Sequence, residues 1–394
     1  MKTLHQSPTD PGFVQNPYPF YERARNHGPF FRWHDYNLIC TTNAAACNAI
    51  FRDRRLGREV PIELSVQSPD HLHSFYAVEA HSMLELEPPR HTRLRGLVLR
   101  AFTSRRIAAL HPEIEALAHQ LIDGFPDSPF DLLTDFAQKL PVIIIARLLG
   151  VPETMSDDLL RWSNAMVGMY MAGRTRKTED HAAAAARDFA DFLRGYVKQR
   201  RAAPADDLIT HLIAAEAAGE KLTTDELIST CILLLNAGHE ATVHTIGNGV
   251  KTLLETKTPL SVLDAKSINA CTEEILRFDP ALHMFTRYVY EDIDIMGQSF
   301  KRGDQIGLLL AAANRDQTLW DTPDQFQPNR PAKPHVSFGA GLHFCLGAPL
   351  ARLELQAALP ILFQRHPELR MTEPPLYANV YHFHGLTKLM VQTR

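Results

Sequence analysis

The residue with the most distinctive surroundings is Cys345, which lies in a glycine-rich segment over residues 338–347. Several glycines around one cysteine indicate a backbone that turns sharply or approaches a ligand closely. Residues 348–364 have the apolar spacing of a helix, and Pro349 suits its first turn. A helix N-terminus lowers the pKa of a nearby thiol, and a thiolate is a ligand for a soft metal centre. The alternative interpretation is a buried structural cysteine.

A second group of reactive side chains lies in a long predicted helix over about 223–254, which opens on the capping-box pattern Thr223 to Glu226. Within it, His239, Glu240 and His244 nearly spell the zinc-hydrolase motif H-E-x-x-H. Its histidines are four residues apart, whereas these are five apart, about 140° around a helix. They cannot easily share one metal, which argues against a zinc hydrolase.

Two further pairs have helical spacing. Glu274 and Arg277 are at i,i+3, and His91 and Arg95 are at i,i+4, so that each pair shares one helix face. Taken singly, such pairs are typical of ordinary surface or core residues. Their order along the chain, with Cys345 downstream, indicates that they belong to one functional site.

Together these motifs resemble those of the cytochrome P450 family. Residues 338–347 read Phe-x-x-Gly-x-His-x-Cys-x-Gly, which is similar to the family's haem-binding loop. The resemblance implies that Cys345 is the axial thiolate ligand of a haem b iron. It also implies that Phe338 packs beside the ring and that Gly339 and Gly347 let the backbone approach the sulfur.

The same resemblance assigns roles to charged residues far apart in the sequence. It implies that His91, Arg95, Arg287 and His343 bind the haem propionates by charge-assisted hydrogen bonds. It further implies that Glu274, Arg277 and Arg330 form a structural charge cluster behind the cysteine loop. A buried cluster of this kind is costly unless every member is paired.

The helix over about 223–254 resembles the family's oxygen-activation helix. Ala237 and Gly238 would leave room for dioxygen and substrate, and Glu240 would be the acid of proton delivery. The family normally has a threonine directly after this acid, but this chain has Ala241 there and Thr242 one residue later. About 100° of helix rotation separates the two positions, so Thr242 is not a simple substitute. Our hypothesis is that a substrate hydroxyl or an ordered water completes the proton relay.

By its resemblance to the family, the chain is expected to be a monooxygenase that inserts one atom of O2 into a small organic, apolar substrate. The expected substrate pocket includes Phe75, Met166, Met169, His283, Phe285 and Phe383. A P450 domain would occupy the whole given chain and leave no room in it for a flavin or nicotinamide domain. A ferredoxin and its reductase are therefore the expected electron donors. They would dock on arginines near the predicted helix that starts at about residue 90, namely Arg90, Arg93, Arg95, Arg100, Arg105 and Arg106.

The elements that must position these residues follow from composition and periodicity. The chain has 394 residues, is 45% hydrophobic and carries a net charge of -4, which is typical of a globular protein and gives no basic field for nucleic acid. Helical periodicity dominates over about 90–255, and short strands are predicted over 37–41, 287–290, 306–310 and 388–392. We therefore expect one large domain over 1–394, mainly α with small β-sheets.

Two further expectations concern location and class. No apolar run is long enough to cross a bilayer and the N-terminus has no apolar leader, which predicts a cytoplasmic protein without membrane insertion. The competing function is a haem-thiolate protein that is not a monooxygenase: a peroxide-driven catalyst, an isomerase or a gas sensor. The alanine at position 241 keeps that alternative open.

Overall fold

The computed structural model describes residues 1–171, 174–217, 219–331 and 333–393. Helices dominate it, as the long apolar periodicity predicts. In the described residues the α-helices are α1 Pro11–Gln15, α2 Tyr18–Arg25, α3 Ala44–Arg52, α4 His73–Glu79, α5 Arg90–Ala101, α6 Ser104–Ala109, α7 His111–Asp123, α8 Lys139–Leu149, α9 Ser156–Val167, α10 Arg176–Ala202, α11 Leu208–Ala214, α12 Thr224–Glu255, α13 Ile268–Phe278, α14 Leu310–Ala313 and α15 Ala348–Arg365.

The strands are short and join distant parts of the chain. They are β1 Lys2–Leu4, β2 Phe31–Trp33, β3 Leu38–Thr41, β4 Leu56–Gly57, β5 Phe130–Asp131, β6 Glu216–Ala217, β7 Glu220–Lys221, β8 Met284–Val289, β9 Ile293–Ile295, β10 Gln298–Phe300, β11 Gln305–Leu309, β12 Arg370–Met371 and β13 Met390–Gln392. The largest sheet has the order β1-β2-β3-β11-β8-β4. Smaller sheets pair β12-β13-β5, β9-β10 and β6-β7.

Strand β11 sets the position of β8 in the largest sheet. β11 runs parallel to β3 and antiparallel to β8, with Leu308 opposite Phe285 and Ile306 opposite Arg287. Because side chains alternate along a strand, Phe285 and Arg287 lie on the same face of β8. The register therefore places an aromatic ring and a guanidinium side by side.

The long helix α12 runs through the helical core. Thr223 caps it, and the reciprocal hydrogen bonds with Glu226 form the predicted capping box. Apolar side chains surround most of its length, as expected of a helix enclosed by others, and it packs against α8, α9 and α10.

The mainly α fold with small sheets is the one predicted from the sequence. The helix after the cysteine loop was predicted over 348–364 and is observed as Ala348–Arg365, with Pro349 in the first turn. The predicted strands differ from β3, β8, β11 and β13 by a few residues at their ends. Such shifts are expected because the hydrogen bonds that end a strand come from its partner.

Candidate active site

The cysteine loop is closed by its own backbone. The amide of Cys345 donates to the carbonyl of Phe338 at 3.0 Å, and the amide of Gly339 donates to Val336 at 2.8 Å. Gly339 and Gly341 have φ of 65° and 68°, a region that L side chains rarely adopt. A Cβ added to Gly341 would lie 2.1 Å from the carbonyl oxygen of Phe51. The loop thus requires glycine for conformation and for space.

The thiol of Cys345 has opposing electrostatic influences. Burial raises its pKa, while the backbone N–H groups of Gly347 and Ala348 and the guanidinium groups of Arg95 and Arg352 lower it. The net direction is upward, so the expectation that the helix N-terminus alone lowers this pKa is wrong for the free thiol. Desolvation outweighs the helix dipole in this enclosed position. A coordinated metal ion deprotonates a thiol outright, and the thiolate there depends on such an ion.

Cys345 lies on the wall of an internal cavity that most of the predicted site residues share. The cavity is lined by the following sequence-predicted residues: His91, Arg95, Ala237, Gly238, Ala241, Thr242, Phe285, Arg287, Phe338, His343, Cys345, Gly347 and Phe383. They come from α5, α12, β8, the cysteine loop and the segment before β13. Gly339 is not on the wall and shapes the loop from behind, next to Phe51 and Phe285.

Basic side chains are concentrated at one part of this wall. His91 is 1% exposed, and its Nδ1 has no hydrogen-bond partner. The rings of His91 and His343 lie 4.4 Å apart, and His343 Nε2 donates to Glu87 at 2.8 Å. Burial, His343 and Arg95 lower the pKa of His91 to about 4.

Arg287 carries the least compensated charge of this group. It is 3% exposed, and burial lowers its pKa to about 9. Its Nη1 donates to the carbonyl of Thr286 at 2.7 Å, and in the described part of the chain no carboxylate lies within ion-pair distance of it. A buried arginine without a carboxylate needs an anion from elsewhere. With the unpartnered His91 nitrogen, it provides a donor set that fits the two carboxylates of haem b, and Cys345 on the same cavity would supply the thiolate that holds the iron.

Helix α12 forms the wall with small side chains and two alcohols. Ala237, Gly238 and Ala241 face the cavity together with Thr242 and Thr245. The hydroxyl of Thr242 donates to the carbonyl of Gly238 at 3.0 Å, and that of Thr245 donates to Ala241 at 2.7 Å. Both hydroxyl protons are therefore engaged within the helix, while the oxygens can still accept a hydrogen bond.

Glu240 is not among the residues on the cavity wall. Its Oε1 accepts from His244 Nε2 at 3.1 Å, and its Oε2 lies 3.7 Å from His239 Nδ1. Burial opposes ionisation of Glu240, but His244 and His239 hold its pKa below the usual range. Among the described residues, the clusters able to hold a metal do not include these histidines. They lie beside the carboxylate of Glu240 instead.

Glu274, Arg277 and Arg330 come together as a buried charge cluster. Arg277 is 0% exposed and makes two hydrogen bonds to Glu274, at 2.7 and 2.8 Å. It also donates to the carbonyls of Asn314 and Pro323. Arg330 approaches Glu274 at 3.4 Å, and the cluster is paired on every side that the structure describes. Complete pairing is the condition under which buried charges are tolerated.

The structure separates the residues predicted for the substrate pocket into two groups. Phe285 and Phe383 line the cavity, whereas Phe75, Met166, Met169 and His283 do not. Those four are buried in packing: Phe75 lies against Tyr76, for example, with ring centroids 5.4 Å apart. The resemblance locates the segments but not the direction of each side chain, which depends on how α4 and α9 pack.

A buried polar cluster outside the cavity contains His283 and His384. His283 Nδ1 is 2.8 Å from the Tyr21 hydroxyl, and His384 Nε2 is 3.4 Å from Asp279. Elsewhere, His71 contacts Glu179 at 2.8 Å. These contacts tie separate elements together and support a structural role for His71, His283 and His384.

The cavity wall also carries polar residues that were not named individually from the sequence: Arg58, Glu79, Ser82, Tyr170, Asn236, His382 and Glu354. Only Glu354 had a visible signal, as an acid on the apolar face of the predicted helix after the loop. It is 1% exposed, its Oε2 has no partner, and burial raises its pKa to about 8. The others come together from separate segments. The expectation of an apolar lining is therefore incomplete.

Comparison with known proteins agrees with this geometry. The family model described as Cytochrome P450 matches residues 264–375. The polyketide biosynthesis cytochrome P450 PksS of Bacillus subtilis is 35% identical, covering 95% of this chain and 94% of its own. The chain belongs to the cytochrome P450 family.

Two more relatives extend the match. The vitamin D(3) 25-hydroxylase of Pseudonocardia autotrophica is 37% identical, with 91% of this chain and 88% of its own covered. The crystal structure of P450BioI with an acyl carrier protein carrying hexadec-9Z-enoic acid superposes with a TM-score of 0.91 at 34% identity, covering 97% and 99% of the two chains.

As a P450, the protein is a haem-thiolate monooxygenase that binds haem b. When bound, haem with a thiolate ligand activates O2 and supplies the oxidising chemistry. Bacterial P450s take electrons from redox partner proteins. The alternative of a haem-thiolate protein that is not a monooxygenase is not favoured by these relatives. Among the described residues, no helix is both long and apolar enough to cross a membrane.

Proposed function

We propose that this P450 holds its haem between Cys345 as the axial ligand and a propionate site formed by His91, Arg95, Arg287 and His343. The observation that carries the proposal is the buried, uncompensated charge of Arg287 on the same cavity as the cysteine. Phe338 and Gly347 line the wall beside the sulfur. The Arg352 guanidinium, 4.7 Å from the Phe338 ring centroid, fixes that ring from behind.

The second proposed role is the handling of oxygen and protons. We assign Ala237 and Gly238 to the part of the wall that leaves space for O2. A Cβ on Gly238 would meet only Ile145, at 3.6 Å, so packing alone does not demand glycine there. Glu240 is ionised and accepts a hydrogen bond from His244, so it acts as a relay that takes a proton from water and passes it towards the cavity. Position 241 offers no alcohol, so a substrate hydroxyl or an ordered water, held by the Thr242 oxygen, completes the path.

The reaction proposed is hydroxylation of an organic substrate in this cavity. Relatives named as a hydroxylase and as a polyketide biosynthesis enzyme support this reaction type. A single domain over 1–394 is supported by the largest sheet, which joins strands from residues 2–57 with strands from 284–309. A cytoplasmic location is supported by five free cysteines, which suit a reducing compartment.

A ferredoxin with its reductase is the proposed electron source. Of the arginines near α5, three are paired with acids: Arg90 with Glu59, Arg93 with Glu226 and Arg106 with Asp206. Arg95 contacts the loop carbonyl of Phe344. Arg100 and Arg105 are exposed, and within the described residues no ion pair involves them. These two arginines are the basic groups left to attract an acidic carrier.

The decisive experiment is reconstitution of the haem-loaded protein. We expect a red-shifted ferrous-CO band and, with a ferredoxin, its reductase and NADPH, incorporation of one atom of 18O2 into product. Hydrogen peroxide serves as the comparison oxidant. Oxygen incorporation from peroxide alone, with none from O2 and the ferredoxin system, would contradict the proposal.

The docking surface is tested separately. Arg100→Glu with Arg105→Glu should lower the rate with ferredoxin by about tenfold or more at low salt, since basic groups at an interface steer an acidic partner. Peroxide-driven turnover should not change. Lys177→Glu with Lys198→Glu, two exposed charge reversals on α10 that change the net charge by the same amount, is the matched control. An equal effect of both replacements would show that only net charge matters.

A further inference from the structure

One part of the cavity wall consists of a carboxylic acid, Glu79, and a phenol, Tyr170, which have no role in the proposed haem site. The Tyr170 hydroxyl donates to Glu79 Oε2 at 2.8 Å, across 91 residues of sequence. Both side chains line the cavity, Glu79 from α4 and Tyr170 from the 3-10 turn Gly168–Tyr170 after α9.

The charged groups around this pair differ from those around the cysteine. Glu85 and Arg58 influence Glu79, and they also influence Arg287, whereas Arg95 and Arg352 influence Cys345. Burial raises the pKa of Glu79 to about 7, against the hydrogen bond from Tyr170. The surroundings of Glu79 and of Cys345 therefore offer different chemistry to a bound molecule.

One oxygen of Glu79 remains available. In the described part of the chain Oε1 has no hydrogen-bond partner, and it is not sealed by packing as the unpartnered Asn236 Oδ1 is. Because Glu79 lines the cavity, Oε1 is open to a ligand there. An acceptor that is desolvated by an apolar ligand without receiving a hydrogen bond costs free energy, so a donor on the ligand is favoured.

Neighbouring charges select the kind of donor. Arg58 pairs with Glu85 at 2.5 Å, so this ion pair is balanced and offers little attraction to a charged ligand. The burial that raises the pKa of Glu79 also makes it costly to desolvate a cation beside it. A carboxylate would meet Glu79 as a like charge. Burial lowers the pKa of His382 to about 4, which makes this cavity-lining imidazole a neutral partner that can donate or accept. A neutral hydroxyl group meets none of these penalties.

We propose that Glu79, positioned by Tyr170, binds a neutral hydroxyl group of the substrate, so that the substrate class is alcohols on an apolar skeleton rather than hydrocarbons, fatty acids or amines. This rests on the proposed function, since it requires the substrate to occupy the cavity beside the haem. Glu79 contacts the ligand, and Tyr170 acts through Glu79.

The test uses four probes with one skeleton: adamantane, 1-adamantanol, 1-adamantanecarboxylate and N,N,N-trimethyl-1-adamantylammonium, whose quaternary nitrogen cannot coordinate iron. Each is titrated into the haem-loaded protein while the Soret band is followed. We expect 1-adamantanol to bind about three- to tenfold more tightly than adamantane, the range of one neutral hydrogen bond, and both charged probes to bind more weakly than the alcohol.

Variants separate recognition from packing. Glu79→Leu should abolish the preference for the alcohol while adamantane binds at least as well as before. Glu79→Gln keeps an acceptor but removes the charge, so it should keep much of the preference and improve binding of the carboxylate. Tyr170→Phe should reduce the preference, because Glu79 loses its orientation. Ser82→Ala, another polar residue of the wall, is the control and should leave the ratio unchanged.

An alcohol-to-hydrocarbon ratio near one in the wild type, or a ratio that Glu79→Leu leaves unaltered, overturns the proposal. The ferrous-CO band is recorded in the same samples. A normal band together with a failed ratio removes only the hydroxyl site, whereas a missing band removes the proposed haem ligation itself.

Discussion

The cysteine loop and the polar wall of the cavity are built in opposite ways. The loop is made by ten consecutive residues whose glycines, hydrogen bonds and following helix belong to one stretch of chain. The wall is made by single side chains from α4, α12 and the turn after α9, which meet only in the folded protein. A site made of consecutive residues can be recognised from the sequence, whereas a site assembled from distant segments cannot.

The two regions also differ in how completely their polar groups are satisfied. Behind the loop, Arg277 and Glu274 use hydrogen bonds on each side. On the wall, Arg58 Nε, Asn236 Oδ1 and Glu354 Oε2 are buried without a partner. Full pairing stabilises one arrangement, while unpartnered groups are retained where a ligand or a charge change uses them.

The largest expected effect is at the loop. Cys345→Ser should abolish the red-shifted ferrous-CO band and monooxygenase turnover, because the thiolate ligand is lost. Optical spectra and product analysis measure this. Circular dichroism provides the control, since the loop closes through backbone hydrogen bonds and the fold should persist. A variant that kept the red-shifted band would show that another residue is the axial ligand.

The next effect concerns the charge cluster. Glu274→Ala leaves Arg277 buried without its carboxylate, which should destabilise the protein by about 3–5 kcal/mol and weaken haem retention. Thermal unfolding and haem content measure the change. The exposed pair of Arg176 and Asp180 is the matched control, and Asp180→Ala should cost about 1 kcal/mol or less. A similar loss of unfolding free energy in both variants would mean that the buried cluster contributes no more to stability than an exposed ion pair.

A smaller effect depends on pH. Burial raises the pKa of Glu354 to about 8, so the folded protein binds a proton that the unfolded chain releases at ordinary carboxyl values. The contribution of protonated Glu354 to the free energy of unfolding is complete below about pH 4.5. It is lost as the pH rises towards 8, by about 1 kcal/mol per pH unit. Glu354→Gln should flatten this decline in the unfolding midpoint.

The control for this pH effect is the exposed acid Glu113 on α7. Glu113→Gln should leave the slope of the unfolding midpoint against pH unchanged. Equal slopes for wild type and Glu354→Gln would show instead that Glu354 is ionised in the folded protein, with a partner supplied by the bound cofactor or by water.

The smallest effect is expected on α12. Ala241→Thr adds an alcohol to the cavity wall and should change the ratio of product formed to NADPH consumed. The change should stay below the roughly hundredfold effect of a full acid–base group, because Thr242 and Thr245 already place oxygens there. An unchanged ratio would contradict the hypothesis that the missing alcohol shapes proton delivery.

Much of the molecule could be predicted where the signal is local. The capping box of α12, the helix after the loop and the i,i+3 pair of α13 each depend on residues within a few positions of one another. The resemblance extends this to distant residues such as Arg287, whose place on the cavity is set by the register between β8 and β11. The fold class followed from these signals.

The directions of single side chains are the part of the site about which the sequence carries least information. Met166 and Met169 were expected in the pocket, but they pack inside the core, while Tyr170 faces the cavity. Met169 and Tyr170 are adjacent in the 3-10 turn after α9, so a rotation of that turn by one residue would exchange these two, and nothing in the segment itself determines its rotation. Glu240 likewise faces its neighbouring histidines rather than the cavity.

The sequence by itself determined the cysteine loop, its glycines and the helix behind it, because backbone conformation and hydrogen bonding there are local. It also determined which charges had to be paired, since isolated charges cannot be buried. Only the tertiary structure decided which polar groups share the cavity and which remain unpartnered. Contacts such as Tyr170 to Glu79 arise from the packing of whole helices, whose relative rotation is a property of the assembled core.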